Sequence, residues 1–165
     1  MESEFDEMAM SWDDDPARKE RAADIAGFLL DKQDMTHLPR AFEYGSGTGL
    51  LSFAMQDKFS SIDLMDASEE MTKVAALKIE KAGAGHMRAH WGDLLSGAQL
   101  PAKVDIIYTM LTLHHVKETA KLLSHFSKTL NPGGKLVSIV VVDEVGRFLD
   151  FSDLGGQLGF ARVEL

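Results

Sequence analysis

Between a short apolar run at 40–44 and a helical pattern at 50–59, the chain reads Glu43-Tyr44-Gly45-Ser46-Gly47-Thr48-Gly49. Glycines in that place allow tight backbone angles and let a ligand approach the main chain closely. The helix that follows presents free N–H groups, which favour electron-rich ligand groups. The dinucleotide fingerprint G-x-G-x-x-G does not fit. Counted from Gly45 its third glycine falls on Leu50, and counted from Gly47 it falls on Ser52. The pattern is acidic-x-G-x-G-x-G, and a nucleoside with a zwitterionic tail suits it as well as a pyrophosphate does.

The rest of the chain alternates around this loop. Strands are expected at 40–44, 62–65, 86–91, 104–110 and 136–142, the last rich in Val and Ile. Helices are expected from Pro16 to about Leu30, at 50–59, from a Ser68 cap to about Lys81, and at 116–130. Asp15 suits the cap of the first of these. Asn131-Pro132-Gly133-Gly134 reads as a turn. A last helix at 149–158 and a final strand at 161–165 complete the pattern. Strands alternating with helices mean α/β. The expected architecture is a Rossmann-like, doubly wound, mostly parallel sheet with helices on both faces. The C-terminal antiparallel strands are shortened in this reading, which exposes a sheet edge and predicts a homodimer through it.

Composition limits the function. The 165 residues suggest a single domain, 1–165, and 45% hydrophobic residues supply one core. The net charge is −9, and seven acidic residues precede Arg18, so residues 1–15 form an acidic leader on a nearly neutral body. Neither part has the basic stripe that nucleic-acid binding needs. No apolar run of about 18 residues is present, so no membrane-spanning helix is expected. No signal peptide is visible and there are no cysteines, which fits a cytoplasmic location. His86 and His90 lack a third nearby ligand, so no metal site is expected. Trp12 either closes over the ligand as part of a lid or staples the first helix. A small-molecule substrate is the expected partner.

Asp66 ends the second strand, 21 residues after Gly45. A carboxylate at that strand tip can accept both hydroxyls of a ribose. With the glycine loop, Asp63-Leu64-Met65-Asp66-Ala67-Ser68-Glu69-Glu70-Met71 resembles the class I S-adenosylmethionine-dependent methyltransferases. So do Trp91-Gly92-Asp93-Leu94, the stretch from Val104 to Val116, and Leu130-Asn131-Pro132-Gly133-Gly134-Lys135-Leu136. The leader from Phe5 to Asp13 resembles the start of many small-molecule members, and the likeness runs in order from 5 to 142. The resemblance implies that S-adenosylmethionine is the methyl donor and that S-adenosylhomocysteine is released. By the same resemblance Gly45, Ser46 and Gly47 would line the methionine tail and Glu43 would orient its amino group. Asp66 would hold the ribose, with Ala67 against the adenine. Asp93 would accept from the adenine amino group, framed by Gly92 and Leu94, and Thr109 would offer backbone to the amino-acid end. His114 and His115 are the candidate general bases, although a sulfonium donor can react without one. The loop after the fourth strand reads Thr109-Met110-Leu111-Thr112, not the Asn/Asp-Pro-Pro-aromatic of enzymes acting on bases or glutamine. Two other readings are a module that binds the nucleoside without turnover and a nicotinamide-dependent oxidoreductase, the second disfavoured by Leu50 and Ser52.

Overall fold

The computed structural model describes residues 4–32 and 34–139. A short helix α1 (Glu4–Met8) and a 3-10 turn (Ala9–Asp14) lead into α2 (Pro16–Lys32). There follow β1 (Arg40–Tyr44), α3 (Leu50–Met55), β2 (Ser61–Asp66), α4 (Glu69–Ala82) and β3 (Met87–Trp91). The described chain ends with β4 (Val104–Met110), α5 (Thr119–Thr129) and β5 (Leu130–Ile139). The sheet order is β3-β2-β1-β4-β5, and every pairing is parallel. This is the expected α/β, Rossmann-like arrangement.

The side-chain period of two divides the core. Ala41, Ile106, Tyr108 and Val137 face one apolar cluster with Ile25 and Leu29 of α2. Phe42, Ile107 and Leu136, their neighbours in sequence, face a second cluster with Leu122, Leu123 and Phe126 of α5. Strands buried on both faces must read as continuous apolar runs, as 104–110 does. Helices therefore cover both faces, and neither face of the central strands meets water.

Local signals set the helix ends. Asp15 Oδ1 accepts from Ala17 N at 2.9 Å at the start of α2. Ser68 Oγ accepts from Met71 N at 3.1 Å as the N-cap of α4, and Gly83, at φ +63°, closes that helix. Other boundaries differ from the expected ones. The helix expected at 50–59 ends at Met55 and tightens into a 3-10 turn (Gln56–Lys58). The helix expected at 116–130 begins at Thr119, after a separate 3-10 turn (Leu113–His115).

The turn expected at 131–134 is a bulge inside β5. Val104 pairs with Leu130 and Ile106 with Lys135, so several residues of β5 are looped out against one of β4. Asp105 ties the bulge down. One carboxylate oxygen accepts from Asn131 Nδ2 at 2.8 Å and the other from Arg40 N at 3.0 Å. The strand expected at 136–142 to be central pairs with β4 on one side, and it is the outermost strand among the described residues. The expected helix 149–158, the strand 161–165 and the dimer edge built on them lie outside the described residues.

The acidic leader is not a solvated tail. Asp6 Oδ1 accepts from Ser68 Oγ at 2.5 Å, at the head of α4. Asp13 accepts from Thr48 Oγ1 and pairs with Lys78, both at 2.6 Å. Three residues, one from the glycine loop and two from α4 and its cap, thus hold the leader across the tips of the strands.

Candidate functional site

In the order β3-β2-β1-β4-β5 the chain reverses direction of growth between β1 and β4. Ligands of open α/β sheets bind at such switch points, outside the carboxyl ends of the strands. A cavity of about 710 Å³ lies there, within the range of about 300–1,000 Å³ usual for small-molecule sites. Its floor is the glycine loop, Gly45 to Thr48, with Asp66 and Ala67 beyond β2. Asp93, Met110, Leu111 and Thr112 form one side. Phe5, Trp12, His114 and His115 form the roof.

The loop is shaped by backbone bonds. Gly45 N and Ser46 N both donate to Met65 O, at 2.8 and 3.1 Å. Gly45, Gly47 and Gly49 have φ of +69°, +54° and +82°, values that L-residues with side chains rarely adopt. Gly47 N then donates to Asp66 Oδ2 at 2.7 Å, and Ser68 N to Asp66 Oδ1 at 2.8 Å. Each oxygen of Asp66 so holds one backbone donor and keeps a lone pair for another. Burial raises the Asp66 carboxyl above its ordinary value, and the two N–H donors oppose that rise. Such a carboxylate gains from two added hydroxyl donors, which are what a ribose offers.

Asp93 is half of a second polar pair. Its Oδ1 accepts from Tyr44 OH at 2.5 Å and from Leu95 N at 2.9 Å, which leaves Oδ2 for a ligand donor. Burial, then the bond to Asp93, pushes the Tyr44 hydroxyl up, so it stays a donor. Leu111 is the only non-glycine residue at positive φ (+54°) among the described residues, and it lines the cavity. Backbone strain of that kind is held where a site needs it.

Four of the expected site residues do not reach the cavity. Glu43 points beneath the loop. Its Oε2 accepts from both Ser52 N and Ser52 Oγ, and Ser52 Oγ meets Tyr108 OH at 2.7 Å. The Thr109 side chain is fully buried in β4 opposite Ser138, because strand alternation turns it with Ile107 to the α5 face of the sheet; Met110, Leu111 and Thr112 line the wall instead. Leu94 packs into the α5-side core and its neighbour Leu95 faces the cavity. Gly92 lies behind the wall, its N–H donating to Asp66 O at 2.9 Å. Trp12 does roof the cavity, and the Arg18 guanidinium stacks on its outer ring at 3.8 Å. His90 Nε2 meets Asp63 Oδ1 at 2.6 Å and His86 Nε2 meets Gln56 O at 3.2 Å, so the two turn to different partners. Tyr44, Leu95, Leu111 and Thr112 are among the cavity residues that spacing alone did not single out.

Burial pushes the Glu43 carboxyl from 4.5 up to about 8. The folded chain therefore keeps a proton that the unfolded chain has released between those values. The stability this group contributes is full below pH 4.5 and is lost as pH rises through about 8. Glu43→Gln removes the titration. Its melting temperature is expected to fall less than that of the parent from about pH 4.5 to about 8. Parallel melting curves over that window would show that Glu43 is already ionised in the fold.

Comparison with known proteins agrees with this geometry. A family model described as a methyltransferase domain matches residues 42–136. That span runs from the glycine loop through β4 to the start of the buried part of β5. The chain belongs to the methyltransferase domain family. A ubiquinone biosynthesis O-methyltransferase of Idiomarina loihiensis is 28% identical over 110 residues, covering 67% of this chain and 45% of that protein. The chain thus spans under half the length of that curated relative. A candidate S-adenosyl-L-methionine-dependent methyltransferase of Methanococcus maripaludis superposes with a TM-score of 0.68 at 20% identity, covering 84% of this chain and 66% of that one. The magnesium protoporphyrin IX methyltransferase of Synechocystis, solved with bound SAH, superposes with a TM-score of 0.55 at 22% identity, covering 69% and 52%. These structures share the methyltransferase-domain fold. Among the described residues no helix is long and apolar enough to cross a membrane.

Proposed function

We propose that this domain binds S-adenosylmethionine in the cavity over β1 and β4 and transfers its methyl group to a small-molecule acceptor, releasing S-adenosylhomocysteine. The observation that carries the reading is Asp66, held at 2.7 and 2.8 Å by Gly47 N and Ser68 N with a lone pair left on each oxygen. Its two oxygens take the ribose hydroxyls. Gly45, Ser46 and Gly47 lie along the methionine tail, and Ala67 lies against the adenine. Asp93 Oδ2 accepts from the adenine amino group. The donor, when bound, supplies a methyl on a positively charged sulfur, already activated for transfer.

The chain's own part is to place the acceptor in line with that methyl and to exclude water. Phe5, Trp12 and His115 close the roof, with Phe5 at 6.0 Å from Trp12 and 5.7 Å from His115. Burial, and then His115 beside it, lower the His114 imidazole below its ordinary value. His114 is therefore neutral near pH 7 and able to take a proton from an acceptor hydroxyl. The O-methyltransferase name of the Idiomarina relative supports a small-molecule acceptor.

Calorimetry with S-adenosylhomocysteine and with a nicotinamide dinucleotide, side by side, tests the cofactor. Binding of the second alone would overturn the reading. Formation of S-adenosylhomocysteine with a panel of small acceptors separates an enzyme from a module that only binds. Gly47→Val is a further test. A Cβ there meets nothing closer than Met71 Sδ at 3.9 Å, so the fold is expected to survive. The branched side chain at φ +54° strains the loop by about 1–2 kcal/mol and moves the N–H that holds Asp66. The ligand-induced rise in melting temperature is expected to vanish. A rise equal to the parent's would make the loop a plain turn.

A further inference from the structure

The cavity is electrically divided. Its carboxylates Asp66 and Asp93 belong to the glycine-loop half. Its cations stand on the other half. The His114 and His115 rings lie 3.9 Å apart, tilted at 44°, His115 meets Phe5, Phe5 meets Trp12, and Trp12 carries Arg18. This chain of contacts makes one continuous wall from the 3-10 turn after β4 to α2. Arg18 is already committed, to Asp15 at 3.5 Å and to Trp12 O at 3.1 Å. Arg21, one turn further along α2, and Lys117, two residues past His115, also line the cavity. Neither has a hydrogen bond or an ion pair among the described residues. Of the described lining residues on this side, Glu118 carries a carboxylate, and it pairs with Lys121 at 3.6 Å.

Among the described residues both cations are therefore free to meet an anion at the cavity rim. A cavity wall that is aromatic in the middle and cationic at the rim matches a ligand with a flat apolar body and an anionic group. Resting on the methyl-transfer reading, we propose that the acceptor is a small organic anion whose carboxylate or phosphate is held by Arg21 and Lys117. That grip sets the acceptor's other end beside His114, facing the donor half. It also explains the division of charge, since the positively charged donor lies toward Asp66 and Asp93 and the negatively charged acceptor toward the cations.

The test uses the whole chain saturated with S-adenosylhomocysteine. Benzoate, phenyl phosphate and uncharged benzyl alcohol are titrated in, with binding read by calorimetry or by broadening of the probe's NMR lines. At least one anion is expected to bind saturably and more tightly than benzyl alcohol, and the tighter anion names the group. The double variant Arg21→Gln with Lys117→Gln is expected to weaken that anion by about tenfold or more. Its affinity for S-adenosylhomocysteine and its melting temperature are expected to match the parent's, because both side chains are exposed and lie away from Asp66. The proposal is overturned if benzyl alcohol binds as tightly as both anions, if neither anion saturates, or if the double variant leaves anion affinity unchanged. If the parent fails to bind S-adenosylhomocysteine, the methyl-transfer reading falls. The same titrations on the ligand-free chain then still decide whether Arg21 and Lys117 hold an anion.

Discussion

Asp66→Ala is expected to weaken S-adenosylmethionine binding by at least about tenfold, since hydrogen bonds to a charged group contribute roughly 1.5–3 kcal/mol each. Two such bonds to the ribose go with the carboxylate. The loss does not stop there, because Gly47 N and Ser68 N lose the acceptors they reach at 2.7 and 2.8 Å. The glycine loop then keeps its bonds from Gly45 N and Ser46 N to Met65 O but loses its tie to the tip of β2 at Gly47. Asp66→Asn keeps one oxygen and is expected to fall between the parent and the alanine variant. The fold itself should persist. Burial raises the carboxyl in the native state, so removing it relieves a desolvation cost that offsets the two lost backbone bonds. Calorimetry on the folded variants is the measurement. Affinity equal to the parent's for Asp66→Ala would remove the ribose from this position.

Gly45→Ala is expected to lower the melting temperature by roughly 10 °C and to abolish ligand binding. A Cβ at Gly45 would stand 2.8 Å from Thr112 Cβ and closer still to both branches of that side chain. Thr112 cannot swing aside easily. Its χ1 is stiff, and Oγ1 has its one proton within reach of Met110 O at 3.0 Å and Gly45 O at 3.3 Å. Overpacking of this kind costs about 1–3 kcal/mol, and the left-handed backbone adds about 1–2 kcal/mol. Either the glycine loop or the segment after β4 must shift, and both line the cavity. Thr112→Ala in the same chain removes the two nearest atoms and should recover part of the lost stability. An unshifted melting temperature for the single variant would mean that the loop and Thr112 do not approach as described.

Placing these two variants side by side shows where residue patterns stop being informative. The place of Asp66 was legible because it follows from spacing: a carboxylate at the tip of the strand after a glycine loop stands beside that loop, and Asp66 lines the cavity there. Gly45 was legible as a flexible residue, but not as the tightest point of the loop. That tightness comes from Thr112, 67 residues away, and is brought there only when β4 pairs beside β1. Glu43 and Thr109 show the reverse. Their motifs are local, yet the Glu43 side chain reaches beneath the loop to Ser52 and strand alternation turns the Thr109 side chain to the buried α5 face of the sheet. Seven acids before Arg18 look like a solvated run, and no local pattern says that Asp6 and Asp13 find Ser68, Thr48 and Lys78.

The sequence by itself determined the class of fold, because burial on two faces demands apolar runs and helical periods demand amphipathic segments, and both are local and repeated. It also determined the glycine loop and its carboxylate, since backbone angles and strand tips are properties of a few adjacent residues. The cavity, the Tyr44–Asp93 pair, the leader laid across the strand tips and the split between acidic and basic halves were decided only by tertiary structure. Each depends on groups 35 to 67 residues apart meeting within hydrogen-bond reach. Such meetings follow from sheet order and register, which no single segment encodes.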